Sequence, residues 1–299
     1  MEIQGSNLAE KKHWYDRYYW ALFLVPFLLL VLSIIYIGSV YAKTGDIMYK
    51  DVTLTGGTTL TILNSTLNAA ELEKNLQGKY KDLVVRSLTD IRTGEQTAVT
   101  IEAQAEPEQL KKDVESTINI KLDEETSSIE FTGSILSKSF YSELLRAVLL
   151  AFLFMAITVF IIFKLPVPSL AVIFAAVTDI GVTLATVDLL GIRVSTAGIA
   201  AFLMLIGYSV DTDVLLTTRV LRRKETGPLI DRMKSAMKTG LTMTLTGIAA
   251  MLVAYLIFQS PVLKQVFLII LIGLVVDIFA TWLGNTAILK WYCDKKNIQ

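Results

Sequence analysis

An aspartate inside a hydrocarbon run is expensive to keep, so it counts by default as a functional candidate. This sequence has four of them, Asp179, Asp211, Asp213 and Asp277, each within a stretch long enough to cross a bilayer. Asp179 lies about 16 Å from the inner end of its stretch at 1.5 Å per helical residue. Ala175, Ala176, Thr183 and Thr186 share its side of a helix, a small and hydroxyl-bearing face that lets a second helix approach. Asp211 and Asp213 are two residues apart, about 200° around a helix, so they meet different neighbours. Asp211 falls with Ala200, Met204, Gly207 and Thr218, and Asp213 with Ser209 and Thr217. Asp277 is followed one turn later by Thr281. A carboxyl out of water resists ionisation, and one poised to take and release a proton is what a proton relay needs. The competing structural role is a neutral, hydrogen-bonded carboxyl that joins helices. Asp188 reads as an interfacial residue, opposite Asp179 around the helix. Thr239, Met243, Thr246 and Ala250, with Gly240 and Gly247, predict a small, hydroxyl-rich stripe packed beside these acids.

Other chemistries find no residues. The sequence contains neither GxxxxGK[ST] nor GxGxxG, so work driven by a nucleotide bound to this chain is not expected. One histidine, His13, and one cysteine, Cys293, leave no material for a nucleophilic triad, a disulfide framework or a Cys-rich metal site. No enzyme activity, cofactor or metal is predicted. An intramembrane aspartyl protease is disfavoured because the sequence before Asp211 reads Gly207-Tyr208-Ser209-Val210 and not GxGD.

The elements that position the acids follow from charge and hydropathy. Of 299 residues 53% are hydrophobic and 19% charged, too apolar and too sparsely charged for a soluble domain. Six membrane spans are expected, at 18–42, 141–164, 168–190, 194–219, 239–259 and 264–291; each meets the roughly 20-residue requirement. The first is too long for a signal-peptide core and reads as a retained helix. Pro166 and Pro168 break the chain between the second and third spans. With residues 1–17, a basic loop at 220–238 and the tail at 292–299 placed in the cytoplasm, the inner side receives 14 Lys and Arg, and the two short outer loops only Arg193 and Lys264. The positive-inside rule therefore sets both termini on the cytoplasmic side of the membrane. Arg222, Arg223 and Lys224 fit that topogenic charge.

Residues 43–140 then lie outside. Lys43 to Lys138 holds 16 acidic and 11 basic residues, so neutrality of the whole chain hides an acidic domain over a basic cytoplasmic face, with no basic patch for nucleic acid. Val52–Leu63 alternates and predicts a strand interrupted at Gly56-Gly57. Asn68 caps a helix to about Tyr80, and Leu83–Ile91 and Ala98–Ala103 form a hairpin through Arg92-Thr93-Gly94-Glu95. A second helix starts at Glu106-Pro107-Glu108 and runs to about Asn119; Ser127–Leu136 adds a strand. The order β-α-β-β-α-β is the ferredoxin-like split arrangement. The fold class is thus a six-helix membrane protein with an α+β external domain.

Four motifs resemble the SecF family. Ile206-Gly207-Tyr208-Ser209 followed by Arg219 is similar to its IGYS…R signature, and Leu54-Thr55-Gly56-Gly57-Thr58 to the start of its external domain. Asp179 with Thr183, 30 residues before Ser209, resembles the family's third-span acid, and Leu241 to Thr246 its hydroxyl-rich fifth span. Where bacterial members read Asn-Asp-Ser/Thr, this chain has Asp211-Thr212-Asp213, as in an archaeal type, and the resemblance leaves open which acid faces a relay. It implies half of an RND-superfamily unit, paired with SecD, that assists the Sec translocation channel. The proton or ion gradient would pull or release the emerging polypeptide. Proton relay candidates are then Asp179, Asp213, Asp211 and Asp277, supported by Thr183, Gly207, Ser209, Thr217, Arg219 and Thr246. The lipid bilayer, SecD, the channel and the translocating polypeptide are the implied partners. A proton-coupled exporter of small molecules or lipids, and a scaffold that only stabilises SecD, are the competing readings.

Overall fold

The computed structural model describes residues 14–298 apart from 64–65, 81, 90–92, 124, 223–226 and 259. His13, Arg92, Arg223 and Lys224 therefore lie outside the described residues. Among the described residues, six helical segments have the length and apolarity to cross a membrane. They are α1 (Trp14–Thr44), α5 (Ser134–Phe163), α6 (Pro166–Leu189), α7 (Thr196–Arg222), α8 (Leu229–Ile257) and a sixth segment in three parts. That last segment runs as α9 (Pro261–Phe279), a π-helical stretch (Ala280–Asn285) and α10 (Thr286–Lys295). Between α1 and α5 come α2 (Val52–Thr55), β1 (Gly57–Ile62), α3 (Ala69–Leu76), β2 (Val84–Thr89), β3 (Gln96–Ala103), α4 (Pro107–Ile118) and β4 (Ser127–Thr132).

The sheet is antiparallel in the order β2-β3-β1-β4, which is the strand order of the split β-α-β fold. Leu72, Leu76, Leu110 and Val114 of the two helices close over Leu60, Ile62, Val99 and Ile101 of the sheet. Apolar burial at about 25 cal/mol per Å2 makes this small core the main support of the domain. Several elements differ from their sequence reading. Val52–Thr55 is not strand: Asp51 accepts the Thr53 N–H and caps a helical turn, because the Asx side chain competes with strand pairing. The last strand stops at Thr132 and α5 begins at Ser134, ahead of the expected residue 141. Part of the 220–238 loop is helix, since α8 begins at Leu229.

Gly56 packs on the start of the second span and Gly57 on the end of β3. Both have positive φ, +87° and +146°, and a Cβ on them would sit 2.4 Å from Ser134 Cα and from the Ala103 carbonyl oxygen respectively. No other residue type allows that approach.

Within the bundle α6, α7 and the sixth segment are central, while α1, α5 and α8 each leave one side bare. Lys164 takes a left-handed conformation as the C-cap of α5 and Pro166 opens α6, so the expected tight turn is formed there. Trp20 and Trp291 lie edge to face, 6.5 Å between centroids, in the aromatic position usual for a membrane–water boundary. Beneath the sheet, Val194 pairs with the chain entering the domain: its N–H donates to Tyr49 O at 2.7 Å and its carbonyl accepts the Asp51 N–H at 3.1 Å.

Candidate functional site

Three carboxyls meet in the centre of the bundle. Asp179 on α6, Asp213 on α7 and Asp277 on α9 are each 0% exposed. Ser209, one turn before Asp213, donates its hydroxyl proton to Asp179 Oδ2. Asp277 faces Asp179, Ser209 and Thr212 closely enough to interact with all three. Thr281 Oγ1 lies 3.0 Å from Asp213 Oδ1 and 2.9 Å from Asp277 Oδ1. Asn285 Nδ2 donates to the same Asp213 oxygen at 2.7 Å. A hydroxyl has one proton and can satisfy one of two acceptors. The second contact at Thr281 needs a proton from a carboxyl. The facing pair Asp179 and Asp277 has the same requirement, since Asp179 Oδ1 and Asp277 Oδ2 find no donor among the described residues. The arrangement is therefore suited to hold protons between carboxyls and to pass them among three helices.

The π-helical stretch explains how Asn285 arrives. In an uninterrupted α-helix a residue eight positions after Asp277 would have turned about 80° away. The wider i→i+5 turn pulls it back in line, and Thr286 stabilises that turn by donating to Thr281 O at 2.9 Å. Asn285 was not among the residues singled out from sequence. A buried amide eight residues beyond an acid carries no periodic signal unless the π turn is known.

The remaining sequence candidates divide. Thr183 and Thr217 are fully buried beside the acids, and their hydroxyls have no partner among the described residues. Asp211 is exposed on the outward side of α7, as is Gly207, so of the two acids Asp213 enters the cluster. Arg219 is not at the cluster either: its Nη1 donates to Ser235 O at 2.7 Å and Oγ at 2.9 Å, tying α7 to α8. Thr246 corrects the stripe expected on the fifth span. It is exposed and donates to Met243 O at 2.8 Å in its own helix, as Thr242 does to Lys238 O, because a helical threonine readily bonds the preceding turn. What α8 does bury is Gly240, against Trp282. Asp188 is also more than interfacial. It is 2% exposed and accepts the Tyr49 N–H at 3.1 Å, fixing the start of the sheet domain to α6.

Comparison with known proteins gives these residues a family. The model of the "Protein export membrane protein SecD/SecF, C-terminal" family matches residues 112–295. SecF of Methanothermobacter thermautotrophicus is 41% identical over 254 residues, covering 83% of this chain and 85% of the relative. This chain belongs to the SecF family. SecF of Methanocaldococcus jannaschii is 38% identical over 276 residues, 90% of this chain and 93% of that one. Among solved structures, SecDF of Thermus thermophilus, a translocon-associated membrane protein, superposes with a TM-score of 0.74 at 18% identity over 96% of this chain. The match spans 39% of the SecDF chain, so SecDF as a whole is a much longer protein with the SecF fold inside it.

Proposed function

We propose that this SecF-family chain works with SecD in protein export and that Asp179, Asp213 and Asp277 are the groups through which it takes up and releases the coupling proton. The observation that carries the reading is the cluster itself: three buried carboxyls on three spans, connected by Ser209, Thr281 and Asn285, with donors for only some of their oxygens. Structural acids need no such shortage. Moving one charge through 100 mV is worth about 2.3 kcal/mol, so a few protons suffice to bias a movement of helices against one another.

The same reading orients the chain in the plasma membrane with its basic loops in the cytoplasm and the sheet domain outside, where it would meet the translocating polypeptide beside the Sec channel. An exporter of small molecules or lipids gains no support. The cleft of about 370 Å3 on the sheet domain is lined by Thr55, Gln104, Glu106 and Gln109, too polar for an apolar cargo. The test is Asp179→Asn in vesicles holding the chain, SecD and the Sec channel. The variant is expected to keep SecD bound while losing the gradient-dependent part of export. Unaltered stimulation by the gradient would sink the relay assignment.

A further inference from the structure

The three helices that carry the acids differ on the two sides of the cluster. One turn toward the sheet domain, about 6 Å from Asp179, Ser209 and Asp277, stand Thr183, Leu205 and Gly273. Leu205 is 0% exposed and sits on Gly273: a Cβ built there would lie 2.4 Å from both Leu205 methyl carbons. Glycine is a poor helix former, and here it makes room for one leucine side chain. Beyond that level Leu184, Phe202, Ile270 and Leu274 continue the apolar packing. The opposite direction is polar. Thr217 lies one turn past Asp213, Asn285 two turns past Asp277 and Ser169 nearly three turns before Asp179, each of them buried. Thr217 Oγ1, Asn285 Oδ1 and Ser169 Oγ have no partner among the described residues. Buried polar atoms of that kind are the usual seats of ordered water, whereas an apolar constriction excludes it.

We propose that Leu205, seated on Gly273, is the barrier that closes the acid cluster toward the sheet domain, while Thr217, Asn285 and Ser169 mark a hydrated path from the cluster to the opposite membrane face. The inference rests on the proton-relay reading and adds the side to which the carboxyls are open. A proton coming from the sheet-domain side reaches the acids only when Leu205 leaves Gly273, which requires α7 and α9 to part. Both helices are tied down two to three turns further on. The Thr196 N–H of α7 donates to Thr53 Oγ1, and Gln265 of α9 donates to Arg193 O, whose neighbour Val194 pairs with Tyr49 and Asp51. Opening the barrier is thereby coupled to a movement beneath the sheet, and between movements the barrier prevents protons from leaking through.

The experiment uses vesicles holding the full chain with SecD, a proton gradient imposed from the sheet-domain side and an entrapped pH dye. Leu205→Ala opens a space beside polar groups that is large enough for water, so the gradient is expected to decay on the order of tenfold faster than with the parent. Leu205→Met, which refills the seat, is expected to stay tight. Adding Asp179→Asn to Leu205→Ala is expected to abolish the leak, an effect that mere loosening of the bundle would not produce. Should Leu205→Ala not accumulate, Leu205→Val carries the same test, with a smaller leak expected. Vesicles of the shortened variant as tight as the parent overturn the barrier, as does a leak that survives Asp179→Asn and so bypasses the acids. In either case loss of gradient-dependent export in Asp179→Asn alone keeps the relay reading standing. If Asp179→Asn alone leaves that export unaltered, the relay reading fails and the barrier with it.

Discussion

Replacing Thr281 by valine removes one oxygen and changes little else in shape. In the structure that oxygen lies 3.0 Å from one carboxyl and 2.9 Å from another, in a site with no exposure. Its loss removes the oxygen that bridges the two, leaving Asp213 Oδ1 with the Asn285 amide and Asp277 Oδ1 with no contact to Asp213 through Thr281. A buried acceptor deprived of its partner costs about 1–3 kcal/mol, which corresponds to a factor of roughly 5 to 150 in the population of the closed cluster. Because Thr281 spans α7 and the sixth segment, the loss falls on the relation between those helices and not on either alone. The assay is export of a Sec substrate into vesicles with and without an imposed proton gradient. Thr281→Val is expected to reduce the gradient-dependent increment at least severalfold, while leaving gradient-independent export and SecD binding in place. Thr281→Ser, which keeps the hydroxyl, is expected to retain most of the increment. A valine variant with the parent's full gradient dependence would refute the idea that this hydroxyl links working carboxyls.

Three further outcomes follow from other contacts. Gly240→Ala places a Cβ 2.3 Å from Trp282 Cζ2, about 1 Å short of ordinary contact; overpacking of about 1–3 kcal/mol should lower the thermal midpoint of the solubilised complex, and an unchanged midpoint would contradict the tight seat of the π-helical stretch. In the sheet domain, burial first and the Asp51 charge second push the Glu102 carboxyl up, against the pull of Arg86 and Arg193. A raised folded value means that its stabilising effect is complete below the ordinary glutamate range and is lost as pH rises from there through the raised folded value. Glu102→Gln should therefore gain resistance to pulse proteolysis over the parent as pH increases from 4 to 7, and a gap that stays constant or narrows would show the sign to be wrong. Gln265→Ala removes the donor to Arg193 O and the acceptor of the Ser195 N–H; it should loosen the sheet domain, seen as faster amide exchange at Val194 and Asp51, with export falling while SecD stays bound.

How much of this could be read from sequence depends on the kind of signal involved. Long uncharged runs declare spans by length alone, and charges inside them stand out because they are rare, so Asp179, Asp213 and Asp277 were visible as candidates. Choosing between Asp211 and Asp213 was not possible, because a two-residue spacing says that the acids diverge and not which side of α7 meets α6 and α9. Thr246 misled for a different reason. A stripe of hydroxyls looks the same whether it faces carboxyls or satisfies its own helix, and here the hydroxyls turn back on the preceding carbonyls. Asn285 was hidden by a local change of helical pitch. Val52–Thr55 was hidden by composition: β-branched residues favour strand, yet Asp51 at the N-cap outweighs that preference over a single turn.

The helices that carry the three acids have a second meeting place. Asp179 lies ten residues, about 15 Å, from the end of α6 that meets the sheet domain, where Asp188 holds the Tyr49 amide. At the start of α7, the Thr196 N–H donates to Thr53 Oγ1 at 3.1 Å. From α9, twelve residues before Asp277, Gln265 accepts from Ser195 and donates to Arg193 O, while Arg193 Nη1 reaches Asp82 O beside β2. Each span that contributes a carboxyl thus also contributes a hydrogen bond beneath the sheet, α6 and α7 to residues 49–53 and α9 to residues 193–195, and Val194 pairs the second stretch with the first. Helices are stiff over 15–20 Å, so a tilt set at the carboxyls is delivered at that knot instead of being absorbed along the way. The sheet domain has a second attachment, at Gly56 against Ser134 at the start of α5, and α5 carries none of the three acids. One attachment is built on the acid-bearing helices and the other on α5, so under the proposed relay a change in carboxyl protonation is expected to rotate the domain and not merely to lift it.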